Sequence, residues 1–104
     1  MTKTVEAGAS ARREIRQYVA HYEEESSGLG ERLLSDIEAA TALIAEYPSI
    51  GERVRRIREV VRRIPLRHFP FRLIYRERDG GIQIVALSHM SRRPNYWRSR
   101  LANE

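Results

Sequence analysis

The spacing of apolar residues changes once along this chain, and that change sets the kind of fold it can adopt. Up to Tyr47 apolar residues recur at helical intervals; from Val60 to His89 they recur at every second position. In the first segment Ala11, Ile15, Tyr18, Val19 and Tyr22 mark one helix face from about Ser10. Arg12, Arg13, Arg16, Glu23 and Glu24 lie off that stripe, and Ser26, Ser27 and Gly28 end the helix. Leu29, Leu33, Ile37, Ala40, Ile44 and Tyr47 mark a second helix, with Glu31, Arg32, Asp36 and Glu38 outside its stripe. Pro48 stops it, and Ser49 to Gly51 form a turn. So short a connection makes the two helices antiparallel, as an αα-hairpin.

In the second segment Val60–Leu66 reads as a strand, bulged or on an edge at Pro65, which has no N–H to donate. Phe71, Leu73 and Tyr75 share one face of the next strand, with Arg72, Ile74 and Arg76 on the other. Asp79-Gly80-Gly81 is a hairpin turn. Ile82, Ile84, Ala86 and Ser88 then alternate with Gln83, Val85, Leu87 and His89. Both faces of this pair are apolar near their centre, which places it inside the sheet. Residues 1–6 carry the Thr and Val of a short first strand. Glu52 to Glu59 fits loop, helix or strand, and its Arg-rich run from Arg53 to Arg58 stands apart. After His89 comes a polar, basic tail in which Pro94 could open a helical turn. The expected fold class is α+β, in the order β-α-α-β-β-β. An αα-hairpin packs on a small, mainly antiparallel sheet, with a short C-terminal tail or helical turn, all in one domain over residues 1–104.

Composition narrows the chemistry. The chain has no cysteine, so disulfides, thiolate metal sites and cysteine nucleophiles are excluded. Its purely apolar runs are too short to span a bilayer, and no apolar stretch follows Lys3, Arg12 and Arg13 as a secretory signal needs. The expectation is a cytoplasmic protein with no membrane partner. Charge is unevenly placed. Residues 1–51 hold five basic and nine acidic side chains, a net of −4; residues 52–104 hold fourteen and five, a net of +9. All but one of the 19 basic residues are arginine, whose planar fork grips phosphate or carboxylate at two points. The basic half is therefore expected to meet a polyanion or an acidic peptide. The two clear helices fall in the acidic half, which argues against a sequence-specific DNA reader.

The run Val61-Arg62-Arg63-Ile64-Pro65-Leu66-Arg67-His68-Phe69-Pro70-Phe71-Arg72-Leu73-Ile74-Tyr75-Arg76 resembles the central strands of the RelE/ParE toxin superfamily. The ending Ile84-Val85-Ala86-Leu87-Ser88-His89-Met90-Ser91-Arg92-Arg93-Pro94-Asn95-Tyr96-Trp97 is similar to its ParE-like branch. The two-helix first half and the Pro48-x-x-Gly51 turn extend the resemblance over nearly the whole chain; Phe71 stands where tyrosine is common. The resemblance implies a type II toxin–antitoxin toxin of the plasmid-stabilising kind. It would arrest growth when free and be neutralised by a cognate antitoxin, with operator DNA bound only through that antitoxin. The ParE-like branch implies poisoning of DNA gyrase without hydrolytic chemistry. The RelE-like alternative implies cleavage of mRNA on the ribosome.

Each candidate residue has a functional and a structural reading. For RNA cleavage, His89 and Tyr96 could transfer protons while Arg62, Arg63, Arg72 and Arg92 hold the phosphate. Structurally, His89 would instead pin the tail to the sheet by a hydrogen bond, and Tyr96 and Trp97 would cap an open edge of the core. For target binding, Arg92, Arg93, Tyr96 and Trp97 form one end and Arg62, Arg63 and Arg72 a basic sheet face. His68, between two strands, reads as a surface histidine. His21 has only Glu25 at i+4, so no metal site is expected. No motif calls for a cofactor, and neither a Gly-rich phosphate loop nor a Ser–His–Asp signature is present.

Overall fold

The computed structural model describes residues 2–104. Strand β1 is Val5–Ala7, followed by helices α1 (Ala9–Glu25) and α2 (Leu29–Glu46). Then come β2 (Glu52–Arg53), β3 (Arg62–Pro65), β4 (Phe71–Arg78), β5 (Gly81–His89) and a helical turn, α3 (Arg100–Asn103). The strands form one sheet in the order β1-β5-β4-β3-β2. All pairings are antiparallel except β1 with β5, which is parallel. The α+β expectation holds, with β2 as a short added edge. The first strand falls later than residues 1–6, and Met1 lies outside the described residues.

Both helices pack on one sheet face. Ala11 of α1 and Leu33, Ile37, Ala40 and Ile44 of α2 are buried there against Leu66, Phe71, Leu73, Tyr75, Ile82, Ile84 and Leu87. The hairpin is tight because Gly30 lets α2 approach α1: a Cβ there would lie 2.5 Å from the Val19 carbonyl oxygen. Two stripe assignments change: Asp36 is buried although charged, and Tyr47 is exposed. Glu14, placed on neither side from the sequence, is also buried. Tyr47 leaves the stripe because α2 ends at Glu46, and its own backbone is no longer helical, at φ −128° and ψ 77°. The 48–51 turn is pinned by Tyr75, whose hydroxyl donates to the Pro48 carbonyl at 2.8 Å and accepts the Gly51 N–H at 2.9 Å.

The opposite face carries a second core of Val54, Ile57, Val61, Ile74, Val85, Ala86 and Trp97. The loop between β2 and β3 and the C-terminal tail cover it. This placement resolves the ambiguous 52–59 segment: after β2 it is an irregular loop, continuing to Val61, whose apolar residues act as anchors. The β3 strand is shorter than Val60–Leu66, with Val60 half-exposed outside it. At Pro65 it is an edge, since β2 pairs only with Arg62 and Arg63. The Asp79-Gly80 turn forms as expected, with φ of 53° and 77° between the paired Arg78 and Gly81.

Strict alternation along β5 fails at one point. Ile74 pairs with Ala86 but Tyr75 pairs with Ile84, so Val85 is an extra residue, a β-bulge. Val85 and Ala86 therefore both join the second core, while Leu87 returns to the helix side with Ile82 and Ile84. The bulge also turns His89 toward the helices: its ring stacks with Tyr18 at 6.4 Å and meets the edge of Phe71 at 5.1 Å.

Candidate functional site

The sheet face away from the helices opens, where β5 meets the tail, into a cleft of about 110 Å3. Arg63, Arg72, Ser88, Arg92, Arg93 and Trp97 are among its lining residues. Arg63 and Arg72 reach it because they share strand parity with Ile74. Arg92 and Arg93 arrive on the turn after β5, where the Arg92 N–H closes onto the His89 carbonyl at 3.0 Å. Arg63 is held by Glu52, at 2.7 Å from both Nε and Nη2. Among the described residues Arg72, Arg92 and Arg93 make no ion pair. The cleft thus offers cationic forks to an incoming anion.

Arg62 does not share this face. Adjacent strand residues point to opposite sides, and Arg62 pairs with Tyr75 and donates from Nη1 to the Gly51 carbonyl at 3.0 Å. Trp97 is 2% exposed and forms the floor of the second core rather than a free surface. His89 borders the cleft, but its Nδ1 lies 3.1 Å from the Ser91 N–H and 2.7 Å from the Ser91 hydroxyl. That bonding fixes the turn carrying Arg92 and Arg93.

Tyr96 is engaged by the chain itself. Its hydroxyl donates to Glu14 Oε2 at 2.5 Å, and the Arg92 guanidinium lies 3.8 Å above its ring. Burial, the hydrogen bond to Glu14 and that carboxylate's charge push the phenol well above its usual range, against the opposing pull of Arg100 and Arg92. At neutral pH it stays protonated.

The residue that organises this end is Glu14. Arg100 grips it with two parallel bonds, Nη1 to Oε1 at 2.8 Å and Nη2 to Oε2 at 2.9 Å. The Leu87 N–H donates to Oε1 at 3.1 Å, and Arg100 Nη1 also reaches the Val85 carbonyl at 2.9 Å. Backbone groups displaced by the bulge are thus satisfied by a buried ion pair that ties α1, β5 and the tail together. A second buried carboxylate, Asp36, accepts the His68 N–H at 2.7 Å and bonds its Nδ1 at 2.8 Å, joining α2 to the β3–β4 loop. His68 is therefore more than a surface histidine, although its side chain is exposed. Burial alone would raise the Asp36 pKa, but the His68 hydrogen bonds and charge outweigh it and the carboxyl sits below its ordinary 3.8.

A larger open concavity of about 600 Å3 lies at the other end of β5, beside β1. It holds none of the candidate site residues named from the sequence, and the cleft is the better candidate on its chemistry. Among the described residues no group of three or more His, Asp or Glu side chains is placed to hold a metal ion. No helix among them is long and apolar enough to cross a membrane.

Comparison with known proteins gives three findings. The family described as ParE toxin of type II toxin-antitoxin system, parDE, matches residues 5–94. A solved structure of the chromosomal ParDE toxin–antitoxin system from P. aeruginosa superposes with a TM-score of 0.71 at 18% identity, covering 86% of this chain and 98% of that one. A mutant of the E. coli toxin RelE in the free state superposes with a TM-score of 0.61 at 16% identity, covering 99% of this chain and 97% of that one. No curated protein sequence matches.

Proposed function

This chain belongs to the ParE toxin family of type II toxin–antitoxin systems, and from that premise we propose that it arrests growth by binding and poisoning DNA gyrase. A cognate antitoxin neutralises it, and sequence-specific contact with operator DNA belongs to that antitoxin. The observation that supports gyrase over RNA is the state of Tyr96. RNA cleavage needs a base for the 2′-hydroxyl and an acid for the leaving oxygen. Tyr96 is hydrogen-bonded to Glu14 with its pKa raised, which leaves His89 without a second proton-transfer group from the tail. In this reading Arg63, Arg72, Arg92 and Arg93 face the target. Tyr96 and Trp97 shape that surface from behind, and Arg62 steadies the 48–51 turn. The protein works in the cytoplasm.

The antitoxin is read as a segment that lays an amphipathic helix over the helical hairpin while its acidic residues meet the arginine face. The exposed Leu43 of α2, with Tyr47 and Ile50 just beyond it, offers it apolar side chains at the end of the hairpin.

Ribosome-dependent mRNA cleavage is the second reading, favoured by the arginines that line the cleft His89 borders. Purified gyrase separates the two. The gyrase reading expects the chain to inhibit supercoiling and to trap cleaved DNA. Arg92→Gln with Arg93→Gln weakens this at least tenfold, while His89→Asn, which keeps an acceptor for Ser91, preserves it. Inert gyrase, cut ribosomal transcripts and a loss of about 10²–10⁴-fold on His89→Asn would establish the nuclease instead.

A further inference from the structure

The Arg53–Arg58 loop takes no part in the cleft, and its construction needs an explanation. Its sequence alternates two kinds of side chain. Val54 and Ile57 are 4% and 7% exposed and anchor the loop in the second core, while Arg53, Arg55, Arg56 and Arg58 are all exposed. The Val54 N–H donates to the Val61 carbonyl at 2.8 Å and closes the loop's base. The arginines are thus carried on a pinned segment and not on a floppy one.

None of the four has an ion-pair partner among the described residues. The acidic residues flanking them are committed elsewhere, Glu52 to Arg63 and Glu59 to the buried Arg76. Arg56 also sits at φ +63°, a left-handed conformation that costs an arginine about 1 kcal/mol and that glycine or asparagine adopts more readily. Its carbonyl accepts Arg98 Nη2 at 3.0 Å, and that bond can be made by any residue at position 56. A strained arginine whose charge the chain's own contacts do not use points outward, to an anion beyond the molecule.

We propose that the 53–58 loop is a phosphodiester grip that holds the backbone of duplex DNA without reading its sequence. Four arginines within six residues match a row of phosphates, each taken by a two-point fork. The loop carries no aromatic side chain on which an unpaired base could stack, which favours a duplex over a single strand. No helix presents these arginines to a groove, so the contact is to backbone alone. The choice of DNA over duplex RNA rests on the gyrase reading, because duplex DNA is the substrate of gyrase.

The test is fluorescence anisotropy of the full chain with a labelled 20-base-pair DNA duplex of arbitrary sequence, across a salt series. Three to four phosphate contacts give a slope of about −3 in log affinity against log salt, so binding weakens about tenfold between 100 and 200 mM salt. Arg55→Gln with Arg58→Gln should reduce that slope by about two. Arg56→Asn should weaken binding while leaving the melting temperature equal or higher. Arg16→Gln with Arg32→Gln removes as much charge from the acidic half and should leave binding unchanged. No binding at 50 mM salt, or equal losses in the control pair, overturns the proposal. Equal or tighter binding of an RNA duplex overturns the assignment to DNA. Gyrase inhibition measured on the same variants separates the two ideas: DNA binding without gyrase inhibition removes the gyrase reading and leaves the grip, and the converse removes the grip alone.

Discussion

Glu14 occupies a position on α1 that ought to be apolar, three residues after Ala11 and four before Tyr18. A carboxylate there is tolerated because Arg100, Tyr96 and the Leu87 N–H all bond to it. Removing one partner of a buried pair leaves the other uncompensated. Glu14→Ala should therefore cost about 3 kcal/mol, read as a lower denaturation midpoint at an unchanged slope. Asp36 gives a pH signature. Its pKa is lowered on folding, so its contribution is fully present above the ordinary value of 3.8 and is lost as pH falls through the still lower folded value. Acid titration of stability should show that loss, and Asp36→Asn should abolish it; an unchanged acid limb would mean that the His68 bond is not formed in solution. Both residues escaped the sequence reading for one reason. A charge on or beside an apolar stripe looks solvent-facing until its partner, here Arg100 or His68, is brought to it by distant chain. The one legible sign was Glu14's phase.

At the level of elements, Gly30 sets two effects against each other. Helix propensity alone makes Gly30→Ala stabilising by about 1 kcal/mol. The new Cβ would stand 2.5 Å from the Val19 carbonyl oxygen, so α2 must move off α1, at a cost of about 1–3 kcal/mol. The clash should win, and thermal unfolding should show a lower midpoint; a rise would mean that the helices are less closely packed than described. The helices were readable because each has one apolar face with a clean period, and β4 because Phe71, Leu73 and Tyr75 alternate with Arg72, Ile74 and Arg76. The β5 bulge was not. Ile84, Val85, Ala86 and Leu87 are all apolar, so a slip of one residue leaves no trace in the pattern. The 54–61 loop was equally opaque, because Val54, Ile57 and Val61 are buried without forming any regular element. Arg92 and Arg93 line the candidate cleft because they follow the last strand. Strand parity sends Arg62 to the other face, and Trp97 takes the core-capping role that its aromatic ring also allowed.

Across the whole molecule the two chain halves become two sides. The acidic half supplies the helical hairpin, and the basic half supplies most of the sheet, the 53–58 loop and the tail. This separation fits the proposed function, in which an antitoxin covers the helices and the target meets the arginines of the sheet face. The account therefore turns on which cellular process stops first when the chain acts alone. The measurement is induced expression without antitoxin, followed at short times by pulse labelling of DNA and protein synthesis together with recovery of gyrase–DNA adducts. The account predicts that DNA synthesis stops first while cleaved gyrase–DNA complexes accumulate; translation stopping first, with cut transcripts and no adducts, would contradict it.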